Sequence, residues 1–472
     1  MSNKRTPGKA VSRRYFFKLT GGATFAAAGL GLLPFKKLLG PAAMSDASAA
    51  VDGALDLFFA GTDGWISLPK TPEIFSASLG GVQTHPDNLA PDWPTGPLTT
   101  YIFGFRNVTW LDDAQRANQK NKAQHNAPMF WVDEGTEFRM QLTNLGLAQR
   151  PDLFDAHTIH WHGFRNVITF FDGEPTGSVA ITTGRIFQYI YRPHDPGTYM
   201  FHCHVEDTEH VHMGMTGPVF VRPKQNGNTT FYSSGKYAYN DGDGSTGYDR
   251  EFVMFCSEVW GDSHWADAHI QLPEWSDYHA DFCLLNGRVY PETLAPNSPI
   301  DNSLTGVGTK RRSDNQLTVQ TDANGDLVPP AGNPGLQYQP LSALVTCNAG
   351  ERVLLRFANL GFKESAMTLA GMKMRVIGKD ATPMRGRDGT DTSYEASTVS
   401  FGAGESIDAI FTAPAYQGPG AYDTYVLYDR AYERTNNLAN GGRRTEIRVY
   451  PVTTVAAQTH PNINPDYDTI VA

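Results

Sequence analysis

Four cysteines and 14 histidines are few for 472 residues, yet they converge. One segment reads His157-Thr158-Ile159-His160-Trp161-His162-Gly163. A second reads His202-Cys203-His204 and continues through His210, His212 and Met215. Seven of the 14 histidines fall in these two segments, a density that core packing and surface solvation do not produce. Imidazole and thiolate are metal ligands, so the chemistry to expect is coordination.

Side chains alternate faces along a strand, which sorts the ligands. His160 and His162 project one way with Trp161 opposite; His202 and His204 project together with Cys203 opposite. His157 falls on the opposite side from His160 if the strand extends back that far. Two centres follow. His157 and Cys203 meet on one side, where the following loop brings His210 and Met215; the four H-x-H imidazoles meet on the other. Two imidazoles, a thiolate and a weak thioether describe a blue-copper electron-transfer site. A structural zinc site needs a closed Cys/His tetrahedron and leaves the methionine idle, and only one cysteine lies near these histidines. The backbone of Cys203 joins its thiolate to both flanking histidines, a short covalent path between the centres that a structural site has no use for.

These motifs resemble the multicopper oxidases, whose laccase-type members carry H-x-x-H-x-H and H-C-H…H…M on cupredoxin domains. Trp161-His162-Gly163, Asp172-Gly173-Glu174-Pro175, Gly197-Thr198-Tyr199 and Gly217-Pro218-Val219-Phe220-Val221 extend the match. The resemblance implies an all-β fold of two cupredoxin-like Greek-key β-sandwiches. It implies type 1 copper at His157, Cys203, His210 and Met215, and type 2/type 3 ligation by His160, His162, His202 and His204. Asp172 matches an acidic position used as a proton donor; its plainer reading is a turn aspartate. Two departures stand out. The Cys-to-His spacing is two residues longer than usual because of Glu206-Asp207-Thr208-Glu209. His210 is preferred because Met215 lies five residues beyond it; His212 is the weaker alternative, facing solvent. A trinuclear cluster also needs four H-x-H pairs, and only two are here. In the second half, Ser365-Ala366-Met367-Thr368-Leu369-Ala370-Gly371-Met372 and Tyr425-Val426-Leu427-Tyr428-Asp429-Arg430 keep the framework with every ligand replaced, by Thr368, Ala370, Tyr428 and Arg430. His264, His269 and His279 are spare candidates, but no H-x-H spacing joins them, and ordinary surface histidines are the expectation.

The elements that must position these residues read as short strands between Gly, Pro, Asn and Asp from residue 98 onward: 100–108, 130–143, 158–164, 186–192, 198–204 and 218–221. A polar Gly-rich stretch, 224–249, reads as a solvated linker; its Asp241-Gly242-Asp243-Gly244 lacks the twelfth-position Glu of a calcium loop. Strands resume at 251–260, 282–289, 341–346, 352–359, 374–379, 406–411, 422–427 and 445–450. A surface insertion, 291–339, carries one hairpin turning at Asn324-Gly325. The domain expectation is a copper domain over 50–224, a linker over 225–249 and a metal-free sandwich over 250–472. Cys256, Cys283 and Cys347 fall in or beside the later strands, as buried apolar cysteines or with at most one disulfide among them.

Composition bounds the partners. Hydrophobic residues make up 40% and charged residues 19%, with a formal net charge of −10. Residues 1–49 hold eight Lys/Arg and one acid, so the remainder carries a net charge of −17. So acidic a surface repels nucleic-acid phosphates. Ser12-Arg13-Arg14-Tyr15-Phe16-Phe17-Lys18, a short apolar run over 19–33 and Ala47-Ser48-Ala49 resemble a twin-arginine export signal ending in a cleavage site. The run is shorter than the ~20 residues of a spanning helix. The expectation is therefore a processed, periplasmic or otherwise exported copper oxidase, with no membrane span after processing. Oxygen is its electron acceptor, and a small molecule, a metal ion or a cytochrome its donor. A homo-oligomer is expected, since closed symmetric assembly is the default. A copper nitrite reductase-like enzyme with a mononuclear second site and a non-enzymatic copper carrier are the alternatives.

Overall fold

The computed structural model describes residues 56–68, 98–126, 128–301, 316–431 and 442–471, with backbone alone at 74–76 and 81–83. The arginine-rich leader lies outside the described residues. Residues 55–472 pack as one compact unit.

The first sandwich uses eight strands: β1 (Leu57–Leu68), β2 (Leu98–Asn107), β3 (Phe130–Asp133), β4 (Phe138–Gly146), β5 (His160–His162), β6 (Ile186–Tyr191), β7 (Gly197–His202) and β8 (Thr216–Arg222). One sheet runs β2-β1-β4-β6 and the other β3-β8-β7-β5. Between them pack Phe59, Phe105, Phe130, Phe138, Trp161 and Phe201, all buried. The inward-outward alternation along β4, Phe138-Arg139-Met140-Gln141-Leu142, is what binds it to this core.

The structure trims the expected strands where ligands are needed. The stretch 130–143 breaks at Glu134-Gly135, and 158–164 reduces to the three residues of β5. β1 was not foreseen, because its Gly61-Thr62-Asp63-Gly64 reads as a turn; in fact it is a central strand with a register shift at Gly61/Thr62. The glycine has a steric reason: a Cβ on Gly61 would sit 2.8 Å from His157 and 3.3 Å from the Met215 methyl. The loop expected after His204 instead forms a short helix, α1 (Asp207–Met213), closed by Gly214 at φ 119.

The second sandwich pairs one sheet built on β9 (Arg250–Val259), β10 (Phe282–Leu285), β12 (Arg352–Asn359), β14 (Met374–Lys379) and β16 (Ser406–Thr412) with another built on β11 (Val345–Asn348), β13 (Ser365–Leu369), β15 (Thr398–Phe401), β17 (Asp423–Asp429) and β18 (Arg444–Tyr450). A second helix, α2 (Gly261–Ala268), follows β9. The four cysteines are all buried and free, so no disulfide forms among Cys256, Cys283 and Cys347. Among the described residues, no helix is long and apolar enough to cross a membrane.

Two expectations about connecting segments are corrected. The stretch 224–249 is not a solvated linker: Ala238, Tyr239 and Tyr248 are buried against Leu354, Ile377 and Ile410, and Tyr237 is buried as well. Its Asp241 carboxylate accepts the N–H groups of Asp243, Gly244 and Thr246, which closes the loop without an ion. The described parts of the insertion are not surface loop either. Ile300 and Leu317 pack with Trp131, Met200 and Phe220 of the first sandwich, and the Arg106 guanidinium donates to the Gly325 carbonyl.

A buried polar network fastens the sandwiches where β7 begins. Arg356 is flanked by Glu251 at 3.0 Å and Asp408 at 3.4 Å, and Thr198 of β7 donates to Asp408. Removing one partner of a buried ion pair strands the other charge, at about 3–5 kcal/mol. A single neutral hydrogen bond contributes about 1 kcal/mol. Arg356→Met therefore lowers the unfolding free energy by at least about 2 kcal/mol more than Thr198→Val. Equal losses in denaturant titrations would show that the ion pairs do not carry the junction.

Candidate metal centres

The register delivers the ligands. Across β5 and β7, His160 stands opposite His202 and Trp161 opposite Phe201, so both histidines face outward while Trp161 and Phe201 fill the core. Cys203 follows the last residue of β7 and points back inward, fully buried. Its backbone N–H donates to the Met215 carbonyl, tying the two ends of the α1 excursion together. His157 does not belong to β5. An isolated bridge to Ile181 holds it, with reciprocal N–H to carbonyl bonds of 3.0 Å. Its inward position thus comes from that bridge rather than from strand parity.

At the first centre, one ligand atom from each of His157, Cys203 and His210 lies within 4.8 Å of the others. The Cys203 sulfur is 3.3 Å from His210 Nδ1. Met215 is fully buried, its methyl beside the His157 ring across Gly61. His157 is fully buried and neither ring nitrogen has a hydrogen-bond partner. Leaving a buried polar atom unpaired costs about 1–3 kcal/mol, so the site asks for something that accepts its lone pair. Although burial opposes both charges, Cys203 is held well below the ordinary thiol range by His210 and His157, and His210 is raised to about 10 by the Cys203 thiolate and Asp155. A buried thiolate with an imidazole at its sulfur and a thioether alongside fits copper.

His210 Nε2 meets the Asp155 carboxylate at 3.5 Å, and Glu206 joins them within 4.8 Å. The His210 ring itself has no exposed edge, and Asp155 and Glu206 lie beside it. Asp155 was not singled out from the sequence, although it sits two residues before His157. His212 is also corrected. It does not face solvent but is buried, accepting the Trp260 N–H at 3.1 Å beside Trp275, Tyr278 and Phe362. Of the spare histidines, His264 is buried rather than on the surface, with Nδ1 against the Tyr101 carbonyl, and His279 is exposed. Neither these two nor His269 joins a ligand group among the described residues.

At the second centre, His160, His162 and His202 form the ligand group, and the His204 ring lies 4.8 Å from that of His160. Backbone carbonyls fix the tautomers. His160 Nδ1 donates to Asp172 O at 3.0 Å, His202 Nδ1 to Cys203 O at 2.8 Å, and His162 Nε2 to Gly404 O at 3.0 Å. A carbonyl only accepts, so each of those nitrogens carries the ring proton. The lone pairs left over include His162 Nδ1 and His202 Nε2, which face each other at 3.2 Å. Two lone pairs at that distance repel unless a cation lies between them. Burial lowers the pKa of all three, that of His202 to about 3, which opposes filling the gap with a proton. Three neutral imidazoles with converging lone pairs fit metal. The Asp172 carboxylate, partly exposed, lies 3.5 Å from His160 Nδ1.

The replaced positions bring no ligand. Thr368 stands opposite Tyr428 across β13 and β17 and contacts Thr398 through its hydroxyl, and Arg430 is exposed.

A family model described as multicopper oxidase matches residues 107–226. Multicopper oxidase MmcO of Mycobacterium tuberculosis is 24% identical over 291 residues, which cover 61% of this chain and 46% of that protein. The chain thus matches less than half the length of that relative. Among solved structures, a blue copper oxidase from Nitrosomonas europaea superposes with a TM-score of 0.51 at 20% identity, covering 83% of this chain and 85% of that one. A copper-containing nitrite reductase from Thermus scotoductus does so with a TM-score of 0.50 at 13% identity, covering 88% and 68%. These likenesses establish the cupredoxin-type fold. The segment that matches the multicopper oxidase model, residues 107–226, carries every ligand described above.

Proposed function

We propose that the protein is a copper-dependent oxidase that takes single electrons from a donor beside His210 and reduces oxygen to water at the site of His160, His162, His202 and His204. The observation that carries this reading is covalent continuity: Cys203 belongs to one ligand set, while its chain neighbours His202 and His204 belong to the other. Bound copper supplies one-electron transfer at the Cys203 site and oxygen chemistry at the second.

The chain's own groups set the conditions. Cys203 and its flanking peptides provide the path between the two sites. The Asp172 carboxylate, reaching both solvent and His160, is placed to carry protons inward. Asp155 and Glu206, over His210 Nε2, favour a cation as donor: a reduced metal ion or the basic face of a cytochrome. Small neutral phenols remain usable donors without that assistance. A closed homo-oligomer would lay a second copy against the part-exposed second site. The twin-arginine leader directs the folded protein to the periplasm or beyond.

A nitrite reductase-like reading has one observation in its favour: the second sandwich brings no metal ligand, and four histidines suit a mononuclear site. Copper-loaded protein decides between the readings. The oxidase shows an intense blue band, two or more coppers per chain, and oxygen uptake with an electron donor. One copper and no uptake would make it a carrier, and consumption of nitrite in place of oxygen would favour the reductase. Cys203→Ser abolishes the blue band and leaves copper at the second site; a retained band would undo the ligand assignment.

Asp155→Asn tests the donor side. It lowers kcat/KM for a cationic donor roughly tenfold, about 1.4 kcal/mol, and flattens its dependence on salt. Turnover of a neutral phenol is unchanged. Equal losses with both donors would show that Asp155 only orients His210.

A further inference from the structure

The second sandwich brings no ligand at Thr368, Ala370, Tyr428 and Arg430, yet the turn between β15 and β16 reaches the second centre. We propose that Gly404 in that turn is a positioning residue for this centre: its carbonyl holds the ring proton of His162 on Nε2 and so makes Nδ1 the ligating atom. The inference rests on the functional reading above and deepens it.

His160 and His202 take their orientation from carbonyls of their own sandwich, those of Asp172 and Cys203. Both protonate on Nδ1 and offer Nε2. His162 is reversed. Its Nε2 donates to Gly404 O and its Nδ1 faces His202 Nε2. With the other tautomer, Nδ1–H would point at His202, and the lone pair would point at the carbonyl and away from the centre. One backbone oxygen therefore decides whether the third imidazole can join the group.

Glycine is demanded here twice over. Gly404 has φ +78, in the left-handed region, and a Cβ would lie 2.9 Å from His162 Nε2 and 3.1 Å from Cε1. The turn is also built to stay in place. Gly404 N–H donates to the Asn359 carbonyl at the end of β12, and Gly402 N–H to the Glu405 carboxylate, itself paired with Lys379. Two residues on, the Ser406 hydroxyl donates to the Thr198 carbonyl of β7, the strand that ends in His202. The oxygen that orients His162 is thereby held in register with His202.

The test compares Gly404→Ala with Gly402→Ala, in the same turn, where an added Cβ meets only the Glu405 carboxylate at 3.6 Å or more. Copper(II) is titrated into metal-free full-length protein. The blue band reports the fold and the Cys203 site, while electron paramagnetic resonance with nitrogen hyperfine structure reports the second site. Gly404→Ala keeps the blue band and loses about 10- to 100-fold in affinity at the second site, the usual cost of removing an orienting partner. Gly402→Ala binds as the parent does. Unchanged affinity and spectrum in Gly404→Ala overturn the proposal and leave the oxidase reading standing. A parent protein that takes up no second copper overturns both.

If Gly404→Ala does not fold, nitrogen-15 spectra of the zinc-loaded parent protein give the answer directly. His162 is then protonated on Nε2 and bound through Nδ1, opposite to His160 and His202. A His162 bound through Nε2 contradicts the proposal.

Discussion

A sulfur anion buried among imidazoles, with no water to solvate it, is the interaction on which the first sandwich depends. Cys203 has no exposure, and its thiolate is balanced only by His157 and His210. Burying an unpaired charge is prohibitive, which is why imidazoles stand at the sulfur, His210 at 3.3 Å. Much of the local architecture serves that need. The β7–β8 pairing brings Met215 back to Cys203, the missing side chain at Gly61 leaves room for His157 and Met215, and Gly214 ends α1. The same peptide that places the sulfur inward places His202 outward. The two ligand sets are therefore not independent sites but the two faces of one strand end.

How much of this the sequence discloses follows from the range of the forces involved. Alternation along a strand is local, so His160 and His162 on one face and Cys203 opposite His202 could be read before any fold was known. Spacing likewise picked His210 over His212, and the structure gives a reason: His212, one half-turn on, faces away from Cys203 and packs among aromatics of the second sandwich. What could not be read depends on distant partners. The bridge to Ile181 that turns His157 inward, the Asp155 carboxylate over His210, and the burial of Ala238, Tyr239 and Tyr248 under the second sandwich are tertiary facts. β1 was hidden because its two glycines imitate a turn, and they are present because neighbouring chain passes too close for side chains.

The second sandwich shows how a domain can keep a role after losing its obvious chemistry. Thr368, Ala370, Tyr428 and Arg430 occupy the framework of ligand motifs without ligating. The strands that carry them still pair as a sheet, because pairing depends on backbone and core rather than on the outward residues. Through Arg356, Asp408 and Ser406 this sandwich braces β7, and through Gly404 it touches His162. Both contacts act on the second centre without supplying a metal ligand.

The central claim is that one strand end holds two metal sites. Diffraction from crystals of the copper-loaded protein, recorded on both sides of the copper absorption edge, tests it most directly. The account predicts anomalous density at two places: among His157, Cys203, His210 and Met215, and among His160, His162 and His202. Density at only one of them, or copper bound away from Cys203, would contradict it.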